Sequence, residues 1–442
     1  MNTVNRSRAR KARGATGART DEPVTRALLR HAITALEQVL SFERPADAVL
    51  SAYFREHRAL GHRDRGFIAE NIYAVVRRLA WLRGLTAADA SPRSLLLAWL
   101  VRGEGWSVRR FEELVDAQER AWLTTVKAQE FEPQSLAQEI DLPEWLTERL
   151  VATHGEEATR AIAGGLNRSA PLDVRVNGLK STREAVLAHF AEEGVEATAC
   201  PLSPHGIRLA GKPALHRHPL FTGGAIEVQD EGSQLLSLLV QPRRGERVID
   251  FCAGAGGKTL HMGALMRSSG RLYAYDVSER RLANLRPRAA RAGLSNVHPV
   301  VIAHERDPRL KRMAGKADRV LVDAPCSGLG TLRRNPDLKW RQSPESVAEM
   351  AVLQQAILSS AARLVRPGGR LVYATCSLLE EENDAVVAAF LAEHPEFSRL
   401  DAGDILSRQG VADLGVEGAL RLWPHEHGTD GFFAVAMERG NA

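Results

Sequence analysis

The sequence predicts a multi-domain chain with an all-helical N-terminal domain, a small α+β segment and a C-terminal α/β domain on an open, doubly wound parallel sheet. Three observations carry this expectation. The chain has 442 residues, more than one ordinary hydrophobic core accommodates. Apolar residues recur at three- and four-residue spacing through roughly the first 130 positions. Beyond residue 236, short apolar runs alternate with helical stretches, and each run ends in Gly, Asp, Pro or Cys, as buried parallel strands do.

Residues 1–21 form a basic arm. Arg6, Arg8, Arg10, Lys11, Arg13 and Arg19 lie there with no acid before Asp21, a composition that predicts disorder. Residues 22–140 form the helical domain. Leu28, Leu29, Ala32, Ile33, Leu36, Val39 and Leu40 share one helix face, and Ile68, Ile72, Val75, Val76 and Leu79 share another. Leu95–Val101 and Phe111–Leu123 predict two further helical segments. Residues 145–235 form the small α+β segment, with strands at 171–177 and Gly206–Leu209 around a helix from Thr182 to Glu193. Residues 236–442 hold the parallel sheet, with strands at Val248–Cys252, Leu272–Asp276, Val297–Ala303, Val320–Asp323 and Arg370–Thr375. Ala419–Trp423 and Phe432–Met437 predict an antiparallel pair at its edge, and Trp145 and Trp423 are expected in the core.

Composition excludes several classes. No apolar run is long enough for a membrane helix, and the N-terminal stretch lacks the apolar centre of a secretory signal, so a cytoplasmic protein is expected. The four cysteines form no C-x-x-C pair, which argues against structural zinc and a disulfide framework. The net charge of +5 is modest, but the basic residues cluster, which favours a polyanionic partner.

The first strand of the sheet runs into Cys252-Ala253-Gly254-Ala255-Gly256-Gly257-Lys258. A phosphate loop of the Walker type needs glycine six residues before its lysine, where this chain has Cys252. A dinucleotide fingerprint needs a third glycine near Thr259 or Leu260, and none is there. S-adenosylmethionine needs less: close backbone approach to its methionine part and an acid for its ribose. Asp276, at the end of the next strand and 22 residues beyond Gly254, stands where such an acid is found in doubly wound folds.

Cys326 and Cys376 each follow a strand, in Asp323-Ala-Pro-Cys326-Ser-Gly and Ala374-Thr-Cys376-Ser. Neighbouring parallel strands share one crevice at their carboxyl ends, so thiols 50 residues apart can meet over one substrate. These parts suit methyl transfer to a pyrimidine. Carbon 5 of cytosine is a weak nucleophile until a thiolate adds at carbon 6. Asp323 can stabilise the charge at ring nitrogen 3, and a second thiol or a water can remove the carbon 5 proton afterwards. Spacing leaves open which cysteine attacks.

The run from Asp323 through Cys326 to Asn335-Pro-Asp-Leu-Lys339-Trp340-Arg341, with the Thr-Cys-Ser turn and the glycine loop, closely resembles the Sun family of RNA cytosine-5 methyltransferases. The resemblance extends from about residue 145 to the end, and the helical region resembles the NusB-like domain of bacterial RsmB-type members. It implies a Rossmann-type methyltransferase domain, an RRM-like small segment, and methylation of cytosine in RNA, with small-subunit (16S) ribosomal RNA as the substrate and transfer RNA as the alternative. It also implies that Cys376 attacks and Cys326 assists release. The cofactor is then S-adenosylmethionine, held by Cys252 to Lys258, Asp276 and Asp323, with His304 standing where many members carry an aspartate for the adenine. A monomer without a metal is expected.

Arg333, Arg334, Lys339, Trp340 and Arg341 follow the Pro-Cys turn and combine positive charge with a stacking ring, which predicts RNA contact. A non-catalytic RNA-binding assembly factor is the rival from another class. Intact Asp323, Cys326 and Cys376 argue against it.

Overall fold

The computed structural model describes residues 24–86, 90–211 and 213–441. The basic arm expected over 1–21 lies outside the described residues.

The helical domain follows its apolar periodicity. Helices Arg26–Leu40, Ala46–Glu56, His62–Arg77 and Pro92–Ala98 bury Leu29, Leu36, Val49, Ile68, Ile72, Leu96 and Leu97 in one core. Local signals set the helix starts. Thr25 accepts a hydrogen bond from Leu28 N, and Ser91 precedes Pro92 and accepts from Ser94 N. The segment expected as one helix over Phe111–Leu123 is a 3-10 turn, Val108–Phe111, followed by a helix at Ala117–Ala128. Asp116 starts that second helix in a reciprocal cap with Glu119, which separates the two.

The small segment is a four-stranded antiparallel sheet of β1 (Leu172–Val176), β2 (Ala197–Ala199), β3 (Gly206–Leu209) and β4 (Ile226–Val228), in the order β2-β3-β1-β4. Strands β2 and β4 have three residues each, too few to show alternation in the sequence. Helices Glu144–His154 and Glu156–Leu166 precede β1 and do not belong to the core of this sheet. Leu146, Leu150, Ile162 and Leu166 pack with Leu329, Leu332, Val347 and Leu378 of the C-terminal domain.

The C-terminal domain carries β5 (Arg247–Asp250), β6 (Arg271–Asp276), β7 (Val297–Val301), β8 (Ala317–Asp323), β9 (Val365–Thr375), β10 (Phe397–Leu400), β11 (Leu420–Leu422) and β12 (Phe432–Arg439). The sheet runs β7-β6-β5-β8-β9-β12-β10, with β5 to β9 parallel and β12 antiparallel to β9. The chain reverses direction across the sheet between β5 and β8, the switch point where open α/β sheets bind ligands. Strand β12 is not at the edge as expected. It lies beside β9, and its other side pairs with β11 near one end and β10 near the other.

The small sheet is fixed on the C-terminal domain. Arg288 and Arg291 both pair with the buried Glu227 of β4, and Asn177 Nδ2 donates to Ala292 O at 2.8 Å. A side chain at Gly224 would meet Arg291 O at 2.1 Å, so only glycine lets the two backbones approach.

Candidate active site

A cleft of about 690 Å³ opens at the carboxyl ends of β5, β6 and β8. The glycine loop forms one wall. Gly256, in the left-handed region at φ 88°, starts helix Gly257–Leu265, and a side chain there would meet Leu285 at 2.2 Å. Asp276 closes β6 and secures this loop, accepting from Gly254 N at 2.7 Å and Ser278 N at 2.7 Å. Asp250, at the end of β5, is 1% exposed. Its Oδ2 accepts from Thr259 Oγ1 at 2.6 Å, while its Oδ1 is buried without a partner. Burial pushes its carboxyl up to about 7 against the Thr259 hydrogen bond, with the charge of Asp323 adding to the rise.

The opposite wall carries the thiols. Strands β8 and β9 pair with Asp323 opposite Ala374, so Cys326 and Cys376 leave the sheet side by side. Their sulfurs are 3.4 Å apart. The neighbouring Cys376 sulfur, then burial, push the Cys326 thiol well above its ordinary range. Lys258 Nζ donates to Asp323 Oδ2 at 2.7 Å. Burial opposes the charge of Lys258, but the Asp323 carboxylate outweighs it and raises the lysine pKa. Backbone packing sets the turns: Gly330 N donates to Cys376 O at 2.8 Å and Gly431 N to Gly330 O at 2.8 Å. A side chain at Gly330 would meet Gly431 O at 2.3 Å, which ties Ser-Gly-Leu-Gly to Asp-Gly-Phe-Phe.

The expected residues Cys252, Ala253, Gly254, Ala255, Gly257, Lys258, Asp276, His304, Asp323, Cys326 and Cys376 therefore line one cleft. His304 is an exposed rim residue whose Nδ1 accepts from Arg306 N at 3.1 Å. The nearby Asp307 is buried and turns to Ala303 N and Arg309.

The basic loop does not stand where RNA contact was expected. Lys339 is 1% exposed and donates to Arg77 O at 2.8 Å, Asp141 O at 2.5 Å and Asn167 Oδ1 at 3.2 Å. Trp340 packs against the helical core and donates to Val76 O at 2.9 Å. Arg333 and Arg334 pair with Asp430, Arg334 also with Asp230, and Arg341 with Asp337. Unpaired charge is costly to bury, so these cations have internal partners: Lys339 joins the helical domain to the C-terminal one, Arg334 reaches Pro171 O and Asp230 of the small segment, and Arg333 and Arg341 pair within the C-terminal domain.

Two residues outside the sequence expectation matter. Asp250 supplies the buried, unpartnered oxygen, and a strand-end acid just before the glycine loop was its signal. Glu382 is wholly buried behind the thiols, and its place in an acidic run, Glu380-Glu381-Glu382, gave no signal.

Two clusters among the described residues approach metal-ligand spacing. In His189–Glu193–His218, His218 Nδ1 accepts from Leu220 N at 3.2 Å, so its Nε2 carries the proton and donates to Glu193. In Asp173–Cys200–Glu231, Arg208 pairs with both carboxylates.

Residues 237–438 match the family described as 16S rRNA methyltransferase RsmB/F, and residues 142–216 match the ferredoxin-like domain of RsmF/B-like methyltransferases. The chain is 38% identical over 306 residues to the probable ribosomal RNA small subunit methyltransferase B of Synechocystis sp., covering 69% of this chain and 68% of that one. It is 35% identical over 310 residues to the protein of the same name in Bacillus subtilis, covering 69% and 68%. Among solved structures, that titled PH0851 superposes with a TM-score of 0.75 at 28% identity, over 94% of this chain and 99% of that one.

Proposed function

This chain belongs to the RsmB/F family of 16S ribosomal RNA methyltransferases, and from that premise we propose how its two thiols and one aspartate methylate carbon 5 of a cytosine. The protein is an S-adenosylmethionine-dependent RNA methyltransferase. The observation that carries the mechanistic reading is the 3.4 Å approach of Cys326 and Cys376 in the cleft that also holds Asp323 and the glycine loop.

The cleft residues suit the cofactor. A side chain at Gly254 would meet no heavy atom within 4 Å, and the unpartnered Asp250 Oδ1 offers an acceptor for a cationic or N–H group. Asp276 would meet the ribose, the backbone of Cys252 to Lys258 the methionine part, and Ile302 and His304 would flank the adenine. When bound, S-adenosylmethionine supplies a methyl group made electrophilic by its sulfonium.

The target cytosine must leave its stack to reach the thiols. Cys376, as thiolate, adds to carbon 6, and the shifted electrons make carbon 5 nucleophilic. Lys258, paired with Asp323, offsets the negative charge that collects at ring nitrogen 3; Asp323 passes a proton from the lysine to that nitrogen and takes it back once carbon 5 is methylated. Once carbon 5 carries the methyl group, Cys326 takes its proton, the ring electrons return, and the Cys376 sulfur departs as thiolate. The neighbouring Cys376 sulfur is the chief cause of the upward push on the Cys326 thiol, so Cys326 keeps its proton while Cys376 attacks; once Cys376 is bonded to carbon 6 that cause is gone, and Cys326 passes its proton to water and becomes the base.

We place the enzyme in the cytoplasm as a metal-independent monomer. Among the described residues no helix is long and apolar enough to cross a membrane. The decisive test is transfer of labelled methyl to purified 16S ribosomal RNA and to transfer RNA, with nucleoside identification and EDTA present in a parallel series. The reading expects 5-methylcytosine in 16S RNA, undiminished by EDTA. Product confined to transfer RNA, or at another base, contradicts it.

A further inference from the structure

A carboxylate removed from water is expensive unless its lone pairs are occupied. Glu382, 0% exposed, meets that demand. Its Oε1 accepts from Ser327 N at 2.8 Å and from Gln354 Nε2 at 3.0 Å. Its Oε2 accepts from Ser327 Oγ at 2.5 Å and from Ser377 Oγ. Its backbone carbonyl accepts from Tyr373 OH of β9 at 2.6 Å, and Gln354 Nε2 also donates to Pro325 O at 2.9 Å.

Ser327 directly follows Cys326, and Ser377 directly follows Cys376. One carboxylate is thus bonded to the residue after each thiol, while Glu382 itself does not line the cleft. The two turns follow different strands, and they are also linked by Ser327 Oγ to Ser377 Oγ at 3.2 Å, Gly330 N to Cys376 O at 2.8 Å, Ala324 N to Ala374 O at 2.9 Å and the two sulfurs themselves at 3.4 Å.

We propose that Glu382 is a positioning residue for methyl transfer, whose carboxylate fastens the Pro-Cys-Ser and Thr-Cys-Ser turns together and sets the separation of the two thiols. The functional meaning of that separation rests on the reading of Cys376 and Cys326 as the reacting pair. Four acceptor contacts explain why an acid is needed: two N–H donors converge on one oxygen and two hydroxyls on the other. Glutamine can keep the shape, because its oxygen still takes the N–H donors and both serine hydroxyls can turn to accept from its amide nitrogen. Alanine removes all four contacts and leaves a void.

The separation can be read without catalysis. Diamide oxidises a thiol pair to a disulfide and takes up the two hydrogens itself, becoming the hydrazine, so the rate of Cys326–Cys376 disulfide formation, followed by peptide mass spectrometry on the full chain, reports how often the sulfurs meet. E382A is expected to form it about tenfold more slowly than wild type, and to lose about a hundredfold in kcat with little change in KM for the cofactor. E382Q is expected to stay within about threefold of wild type in both readouts. Should E382A fail to fold, the S327A/S377A pair, which removes only the hydroxyl contacts, is expected to slow disulfide formation by about threefold to tenfold, between E382Q and the value expected for E382A. Disulfide formation at the wild-type rate in E382A, or in the serine pair where E382A is unfolded, overturns the proposal. The reading of the thiols fails separately, if C376A retains transfer.

Discussion

Lys258 Nζ donates to Asp323 Oδ2 at 2.7 Å, joining the glycine loop after β5 to the end of β8 across the switch point of the sheet. The lysine also sits 5.9 Å from the centre of the Phe432 ring, so the cofactor wall, the Asp-Ala-Pro turn and the Asp-Gly-Phe-Phe segment meet at one cation. Replacing Asp323 by asparagine preserves shape and removes the charge that holds this meeting point. D323N should bind cofactor and lose about 10²–10³ in kcat, the range for removing one preorganised polar partner of a reacting ring. A kcat within threefold of wild type would exclude Asp323 from the chemistry.

Asp250 gives the site a pH dependence with a definite sign. Its native pKa, raised chiefly by burial to about 7, lies above the ordinary carboxyl value. The native protein then binds more protons at this group than the unfolded chain does over the interval between them. That stability is complete below the unfolded pKa and is lost as pH rises through about 7. In cofactor-free protein, wild type should lose more stability than D250N between about pH 5 and pH 8, by on the order of 1–3 kcal/mol. Parallel denaturation profiles for the two proteins would show that Asp250 titrates normally.

Lys339 tests whether the basic loop joins domains or binds RNA. Its ammonium serves Arg77, Asp141 and Asn167 at once, so K339M strands buried acceptors and should cost about 2–4 kcal/mol in stability. Loss of a phosphate contact would instead lower the slope of log affinity against log salt by about 1. Urea titration and salt-dependent RNA binding together decide: an unchanged melt with a reduced slope contradicts the internal role.

Gly330 is the tightest backbone contact behind the thiols. G330A would place a methyl group 2.3 Å from Gly431 O and 2.8 Å from Cys376 O, neither a flexible side-chain end. The turn must shift, so transfer should fall by about a hundredfold, the order that a misplacement near 1 Å costs. A transfer rate for G330A equal to the wild-type rate would show that the turn absorbs the methyl group without moving the thiols.

The parts of the site that were legible in the sequence are contiguous motifs at strand ends. Gly254, Gly256, Asp276, Asp323, Cys326 and Cys376 each follow or close an apolar run, and parallel pairing alone brings such ends together. What was not legible depends on distant partners. Glu382 meets Ser327, 55 residues away, and Gln354, 28 away, so its local acidic run reads as a solvated surface. The internal partners of the basic loop are hidden in the sequence for the same reason, since Asp430 lies 96 residues from Arg334 and Arg77 lies 262 from Lys339. Strand β12 reads correctly as a strand, but its place beside β9 follows from pairing that no local pattern encodes.

The central claim is that Cys376 forms the bond to the cytosine and Cys326 releases it. Its most direct measurement is a denaturing gel of each purified variant after incubation with 16S ribosomal RNA and S-adenosylmethionine. The account predicts a slow-migrating protein–RNA adduct that accumulates with C326A and is absent from C376A and from the double variant. An adduct that persists in C376A, or none in a folded, cofactor-binding C326A, would contradict the assignment.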